Sequence, residues 1–253
     1  MQMDIPASYR AAQKRLFLLD YDGTLVGIKP TPPEAKPTAE LIQTLTRLTS
    51  DPRNTVVIIS GRDHDTLDEW LGDLPLSFAA EHGLKVKHGS GGWQNTLEAD
   101  LTWMPAVRAI MQPYVDSDPG IFIEEKPTSI AWHNRNAVDN TKAEAAEHEL
   151  AGKIQQYATA NGLRVIHGKR VIEVQIAGVN KGIAAKTWLD MGGWDFILAA
   201  GDDTTDEDLF AAMPPQALTI KIGSEKSHAR LRVASPQELQ QLLELCLGRN
   251  NNY

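Results

Sequence analysis

At 253 residues the chain is long enough for one large domain or two modest ones. Its composition, 42% hydrophobic and 23% charged, is that of a soluble globular protein with a sizeable core. The net charge of −8 argues against general nucleic-acid binding, which requires a basic footprint.

A lone cysteine, Cys246, rules out an internal disulfide and fits a reducing compartment, so the cytoplasm is the expected location. Its setting in Leu242–Leu247 reads as the apolar face of a last helix. No apolar run reaches the roughly 18 residues that a bilayer span needs. The segment before Leu16 mixes Asp4, Arg10, Lys14 and Arg15 and lacks the apolar stretch of a signal peptide.

In chain order, Leu16–Leu19 is a short apolar run without helical period and reads as a buried strand. It delivers Asp20 and Asp22 at the point where the chain breaks into Gly23. Lys29–Pro33 is too proline-dense for a helix or central strand. A helix then opens around Pro37–Glu40, with Leu41, Leu45 and Leu48 at helical spacing, and ends at Asp51-Pro52. Thr55–Ile59 is a β-branched strand finishing in Ser60-Gly61-Arg62, followed by a helix over Asp63–Leu71. Leu76–Ala80 is a weaker strand leading to Glu81-His82-Gly83. Leu84–Trp93 alternates around Gly89–Gly92, which reads as a hairpin turn because the Lys-Ser/Thr and helix of a phosphate-binding loop do not follow.

From Met104 the texture changes to helix, strands at Gly120–Glu125 and Thr128–His133, a long helix over Thr141–Ala160 ended by Asn161-Gly162, and strands at Leu163–His167 and Arg170–Gln175. Helix, two strands, helix, two strands predicts an α+β unit with a small antiparallel sheet. The β-loop-helix pattern resumes with a helix at Lys181–Met191, a strand at Asp195–Ala200, the loop Gly201–Asp206 and a helix at Glu207–Met213, with Thr204 or Thr205 as its N-cap. A strand at Ala217–Ile222, an edge strand at Leu231–Val233, a helix from Ser235-Pro236 and a polar tail complete the chain. The fold class is therefore α/β. A parallel-sheet core spans 1–103 and 177–253, and 104–176 is inserted into it as an α+β domain.

Four strand-end loops carry candidate chemistry: Asp20/Asp22, Ser60, Lys181, and Asp202/Asp203/Asp206. Parallel core strands would place them on one edge, where ligands of open α/β sheets bind. Two like charges one residue apart call for a positive partner, and a hard divalent cation such as Mg²⁺ suits carboxylates, waters and phosphate oxygens. Taken singly, each loop has an ordinary structural reading: a turn, a common Ser-Gly pair, a surface lysine, a helix cap. Their joint order and spacing do not.

The run Asp20-Tyr21-Asp22-Gly23-Thr24-Leu25, with the three downstream loops, resembles the motif set of the haloacid dehalogenase superfamily of phosphatases, whose core is a Rossmann-like sheet. The resemblance implies Asp20 as nucleophile and Asp22 as general acid and base, with Ser60 and Lys181 on the phosphoryl oxygens. It also implies Mg²⁺ held by Asp20, the main-chain carbonyl of Asp22, and Asp202, with Thr24, Asp203 and Asp206 in support. Within the inserted domain, Glu124-Glu125-Lys126 with Ser129, His133 with Arg135, and Gly168-Lys169 with Glu173 resemble the cap signature of trehalose-6-phosphate phosphatases. Glu81-His82-Gly83 and Gly201–Asp208 match that family as well. The family resemblance implies that Glu124, Lys126, Arg135, Lys169 and Glu173 contact the sugar, and it implies a functional link to a trehalose-6-phosphate synthase, to which members are often fused. A phosphatase of sucrose phosphate or mannosylglycerate phosphate would share the core motifs and differ in the cap charges. A catalytically silent regulatory domain would typically lack a motif carboxylate. Histidines at paired zinc-ligand spacing are absent, which disfavours a zinc hydrolase.

Overall fold

The computed structural model describes residues 4–98, 100–126, 128–168 and 170–248. The chain divides into two compact units, Met1–Thr96 with Asn180–Tyr253, and Leu97–Val179.

The first unit is built on an eight-stranded sheet. Its strands are β1 (Arg15–Leu19), β2 (Asn54–Ile59), β3 (Ser77–Ala80), β4 (Lys85–Lys87), β5 (Gln94–Asn95), β10 (Phe196–Gly201), β11 (Leu218–Ile222) and β12 (Leu231–Val233). The order is β12-β11-β10-β1-β2-β3-β4-β5, parallel from β12 to β3 and antiparallel through the β4–β5 hairpin. Strand β1 lies between β2 and β10, so the chain leaves it in opposite directions and a crevice opens at the carboxyl ends of these three strands.

Helices cover both faces, which is why β1 reads as an unbroken apolar run rather than an alternation. Phe17 and Leu19 pack toward α1 (Ile5–Ala11), α2 (Ala39–Ser50), α3 (His64–Leu71) and α8 (Pro236–Cys246), with Cys246 in the same core. Leu16 and Leu18 pack toward α6 (Lys181–Leu189) and α7 (Thr205–Ala212). Thr38, Asp63, Asn180 and Ser235 each cap a helix through the side chain.

The second unit is a four-stranded antiparallel sheet in the order β6-β7-β9-β8. Its strands are β6 (Phe122–Glu125), β7 (Ser129–His133), β8 (Leu163–Gly168) and β9 (Val171–Ile176), and α4 (Met104–Val115) and α5 (Asn140–Ala160) cover one face. Ile130, Trp132, Ile172 and Val174 point to the helices, so Ser129, Ala131, His133 and Glu173 line the opposite face.

Two local expectations change. Helix α1 was not anticipated: Asp4 accepts a hydrogen bond from the Ala7 amide and Pro6 occupies its first turn, a start signal within a segment weighed only as a leader. Helix α7 begins at Thr205 rather than Glu207, with Thr204 at the N-cap; its side chain accepts no cap hydrogen bond, because the Asp206 and Glu207 amides donate to the Asp203 and Thr204 carbonyls. The polar tail from residue 249 lies outside the described residues. Among the described residues, no helix is long and apolar enough to cross a membrane.

Leu18→Ala removes a fully buried side chain from the centre of the sheet. It is expected to destabilise the protein by about 2–5 kcal/mol, measured by urea unfolding followed by circular dichroism.

Candidate active site

Strand β1 ends on Asp20, whose amide donates to the Ala200 carbonyl of β10 at 3.0 Å. The chain then closes a tight loop in which the amides of Leu25 and Val26 return to the Tyr21 carbonyl. Gly23 sits in this loop at φ +82°, and a Cβ there would lie 2.1 Å from an Asp202 carboxylate oxygen. Only glycine meets both demands.

Asp20 is 3% exposed. Its Oδ1 accepts from Lys181 Nζ at 2.6 Å, while its buried Oδ2 has no hydrogen-bond partner among the described residues. Lys181, the first residue of α6, also donates to Asp206 Oδ1 at 2.7 Å. The other oxygen of Asp206 accepts from the amides of Asp202 at 3.0 Å and Asp203 at 2.9 Å. Thr24 Oγ1 donates to Asp202 Oδ1 at 3.3 Å. Carboxylate oxygens of Asp20, Asp202 and Asp206 all lie within 4.8 Å of one another.

Two of the three carboxylates, Asp20 and Asp206, thus share the Lys181 ammonium, and Asp202 lies beside them without it. Burial, and then the charge of Asp206, push the Asp20 carboxyl well above the ordinary carboxylate range. The same causes push Asp202 up to about 6. Burial works against the Lys181 charge, but Asp20 and Asp206 outweigh it and hold the ammonium above the ordinary lysine value. The unpartnered Asp20 oxygen, the excess negative charge and the all-oxygen donor set fit a hard divalent cation held by Asp20 and Asp202. Asp206 is occupied by Lys181 and the two amides.

Ser60 ends β2, next to β1, and is buried. Its Oγ accepts from the Arg62 amide at 3.1 Å. Asp22 adds no side-chain oxygen to the acidic cluster; its carboxylate is forked by Arg62, at 2.7 Å from Nε and 2.6 Å from an Nη. Trp70 and Tyr21 support the guanidinium, at 4.5 and 5.7 Å from their ring centres. Arg62 is the residue that sequence reasoning left without a role, although it stands inside the quoted Ser60-Gly61-Arg62 run. The segment Glu81-His82 clamps this loop: the Glu81 amide donates to Arg62 O and the His82 amide to Ser60 O, both at 2.9 Å. Both residues have positive φ, +53° and +57°, a strained conformation for side chains of this size. Asp203 is exposed, and its carboxylate accepts from the Thr204 amide.

In the second unit, Glu124 and Glu173 stand on the strands flanking Ala131 of β7, on the face away from the helices. Glu124 pairs with His133 Nε2 at 3.0 Å, and the His133 ring holds its carboxyl below the ordinary glutamate value. Glu173 Oε1 accepts from Lys126 Nζ at 3.0 Å and Ser129 Oγ at 2.6 Å. Arg135 is exposed in the turn after β7. Lys169 lies outside the described residues.

The family model described as trehalose-phosphatase matches residues 18–239. The chain belongs to the trehalose-phosphatase family. It is 42% identical over 240 residues to a bifunctional trehalose-6-phosphate synthase/phosphatase of Thermoproteus tenax, covering 95% of this chain and 33% of that protein. The chain therefore spans about a third of the length of the curated relatives it matches. The C-terminal domain of a C. albicans trehalose-6-phosphate phosphatase superposes with a TM-score of 0.89 at 31% identity, with 96% of each chain covered. A haloacid dehalogenase-like hydrolase from B. subtilis shares the fold at 14% identity and a TM-score of 0.62, over 90% of this chain and 98% of that one.

Asp202 contributes stability that is full below its unfolded value of 3.8 and lost as pH rises through about 6, because the folded state holds its proton more tightly. Thermal unfolding without divalent cation is expected to show a falling melting temperature between pH 4 and 6 in the wild type and a shallower fall in Asp202→Asn.

Proposed function

We propose that this chain hydrolyses trehalose 6-phosphate to trehalose and phosphate, with Mg²⁺ as cofactor and Asp20 as nucleophile. The observation that carries the reading is the buried Asp20 carboxylate, one oxygen tied to Lys181 and the other unpartnered.

An Asp20 carboxylate oxygen attacks phosphorus, and the bond from phosphorus to the sugar oxygen breaks. Asp22 gives a proton to the departing sugar oxygen and later takes one from the water that attacks the aspartyl phosphate. That second attack breaks the bond from phosphorus to Asp20 and releases phosphate. The Arg62 fork fixes the direction of the Asp22 carboxyl and leaves a second lone pair on each oxygen for the proton. The Ser60 hydroxyl and the Lys181 ammonium hold phosphoryl oxygens. Mg²⁺, held by Asp20 and Asp202 with the Asp22 carbonyl, would neutralise charge on the transferring group.

The inserted domain, drawn from the sequence at 104–176, would set substrate choice. Glu124, Lys126 and Glu173 present carboxylates and an ammonium on one sheet face, the donors and acceptors that sugar hydroxyls require; the resemblance adds Arg135 and Lys169. A trehalose-6-phosphate synthase is the proposed functional partner, since the T. tenax relative carries both names in one protein. The cytoplasm is the proposed location, in keeping with the lone buried thiol.

Phosphate release with Mg²⁺ is expected to be fastest for trehalose 6-phosphate in a panel with sucrose 6-phosphate, glucose 6-phosphate and an aryl phosphate. A preference for another sugar phosphate would reassign the substrate, and no turnover by folded protein would leave a silent regulatory domain. Asp20→Asn is expected to abolish turnover with an unchanged circular dichroism spectrum. Glu173→Ala is expected to reduce kcat/KM for trehalose 6-phosphate by roughly tenfold or more, as loss of one charged hydrogen bond implies, and to spare the aryl phosphate. Equal losses on both substrates would remove the sugar-reading role.

A further inference from the structure

Lys221 is a buried cation that the proposed mechanism does not use. It is 2% exposed, on strand β11, opposite Gly201 of β10 in the sheet register. Leu218, Ile220 and Ile222 of the same strand pack into the apolar core on the other face. Its ammonium donates to the main-chain carbonyl of Asp202, its one hydrogen-bond acceptor among the described residues. Ammonium groups are almost never fully buried without a partner that depends on them.

The peptide joining Asp202 to Asp203 is consequently gripped at both ends. Its carbonyl is held by Lys221, and its N–H donates to Asp206 Oδ2 at 2.9 Å. The Asp202 N–H donates to the same Asp206 oxygen at 3.0 Å, and with the peptides on both sides of Asp202 held, the Cα–Cβ direction of Asp202 is fixed; its carboxylate lies where a Cβ on Gly23 would stand, beside Asp20.

We propose that Lys221 is a positioning residue for the cation site: through the Asp202 carbonyl it aims the Asp202 carboxylate at the place where Mg²⁺ binds. This rests on the magnesium reading above. The test is Mg²⁺ titration of the full chain by calorimetry, without substrate, in the wild type, K221M and K221R, together with the rise in melting temperature that Mg²⁺ produces. Outer partners of metal ligands typically govern 10–100-fold of affinity, so K221M is expected to weaken Mg²⁺ binding by at least about tenfold and to lose most of the thermal rise. K221R, which keeps the charge and a donor, is expected to recover most of both. If K221M does not fold, K221Q is judged by the same criterion. Equal Mg²⁺ affinity in wild type and K221M, or K221R as weak as K221M, overturns the inference alone. A wild type that binds no Mg²⁺ overturns the magnesium reading and this inference with it.

Discussion

Lys181 enters at the first residue of α6 and sets its ammonium between Asp20 and Asp206, 2.6 and 2.7 Å away, in a place closed to water. Coulomb attraction at that distance and burial is strong, yet so is the cost of removing three ions from solvent. The arrangement holds because every member has further work. Asp206 gathers the amides of Asp202 and Asp203, and those amides place the loop that carries Asp202. Breaking the pair by removing the lysine would leave two buried carboxylates facing each other, which is why the rest of this edge depends on it.

The candidate phosphate-binding Ser60 and the candidate proton donor Asp22, on the loops after the neighbouring strands β2 and β1, are held by different means. Ser60 is fixed by backbone pairing at a strand end, whereas Asp22 is fixed by a guanidinium fork resting on two aromatic rings. Behind both lies the left-handed pair Glu81-His82, with the His82 ring lying against Gly61 so closely that a Cβ there would stand 2.7 Å from it. Strain at this turn is offset by two hydrogen bonds to the loop it clamps. The second unit handles charge differently. Its polar sheet face pairs each carboxylate internally, Glu124 with His133 and Glu173 with Lys126 and Ser129, so the face is ordered before any ligand arrives.

Much of this was legible in the chain itself. Apolar runs such as Leu16–Leu19 and Val56–Ile59, each stopped by a small polar residue or glycine, specify buried parallel strands without reference to partners. The helix starts expected near Thr38, Asp63 and Ser235 are found there, each closed by a local side-chain hydrogen bond from the residue at the N-cap. Thr204 stands at the N-cap of α7 as its chemistry suggests, but the amides its hydroxyl would accept from already donate to main-chain carbonyls, so the side-chain bond is missing.

The sequence by itself determined the α/β pattern, the insertion of a helix-and-hairpin unit, and the order of the carboxylates, serine and lysine that mark a phosphoryl-transfer family. The first two follow from periodicity and turn chemistry, and the third is read through the resemblance of the motifs to a known family. Only the tertiary structure decided which charges meet: that Arg62 takes Asp22, that Asp206 serves Lys181 and two amides, that Lys221 reaches the Asp202 carbonyl, and that Glu124 and Glu173 share a face. Charge pairing acts through space between groups as distant in the chain as Asp20 and Lys181, 161 residues apart, and its outcome is fixed by sheet order and burial rather than by any local pattern.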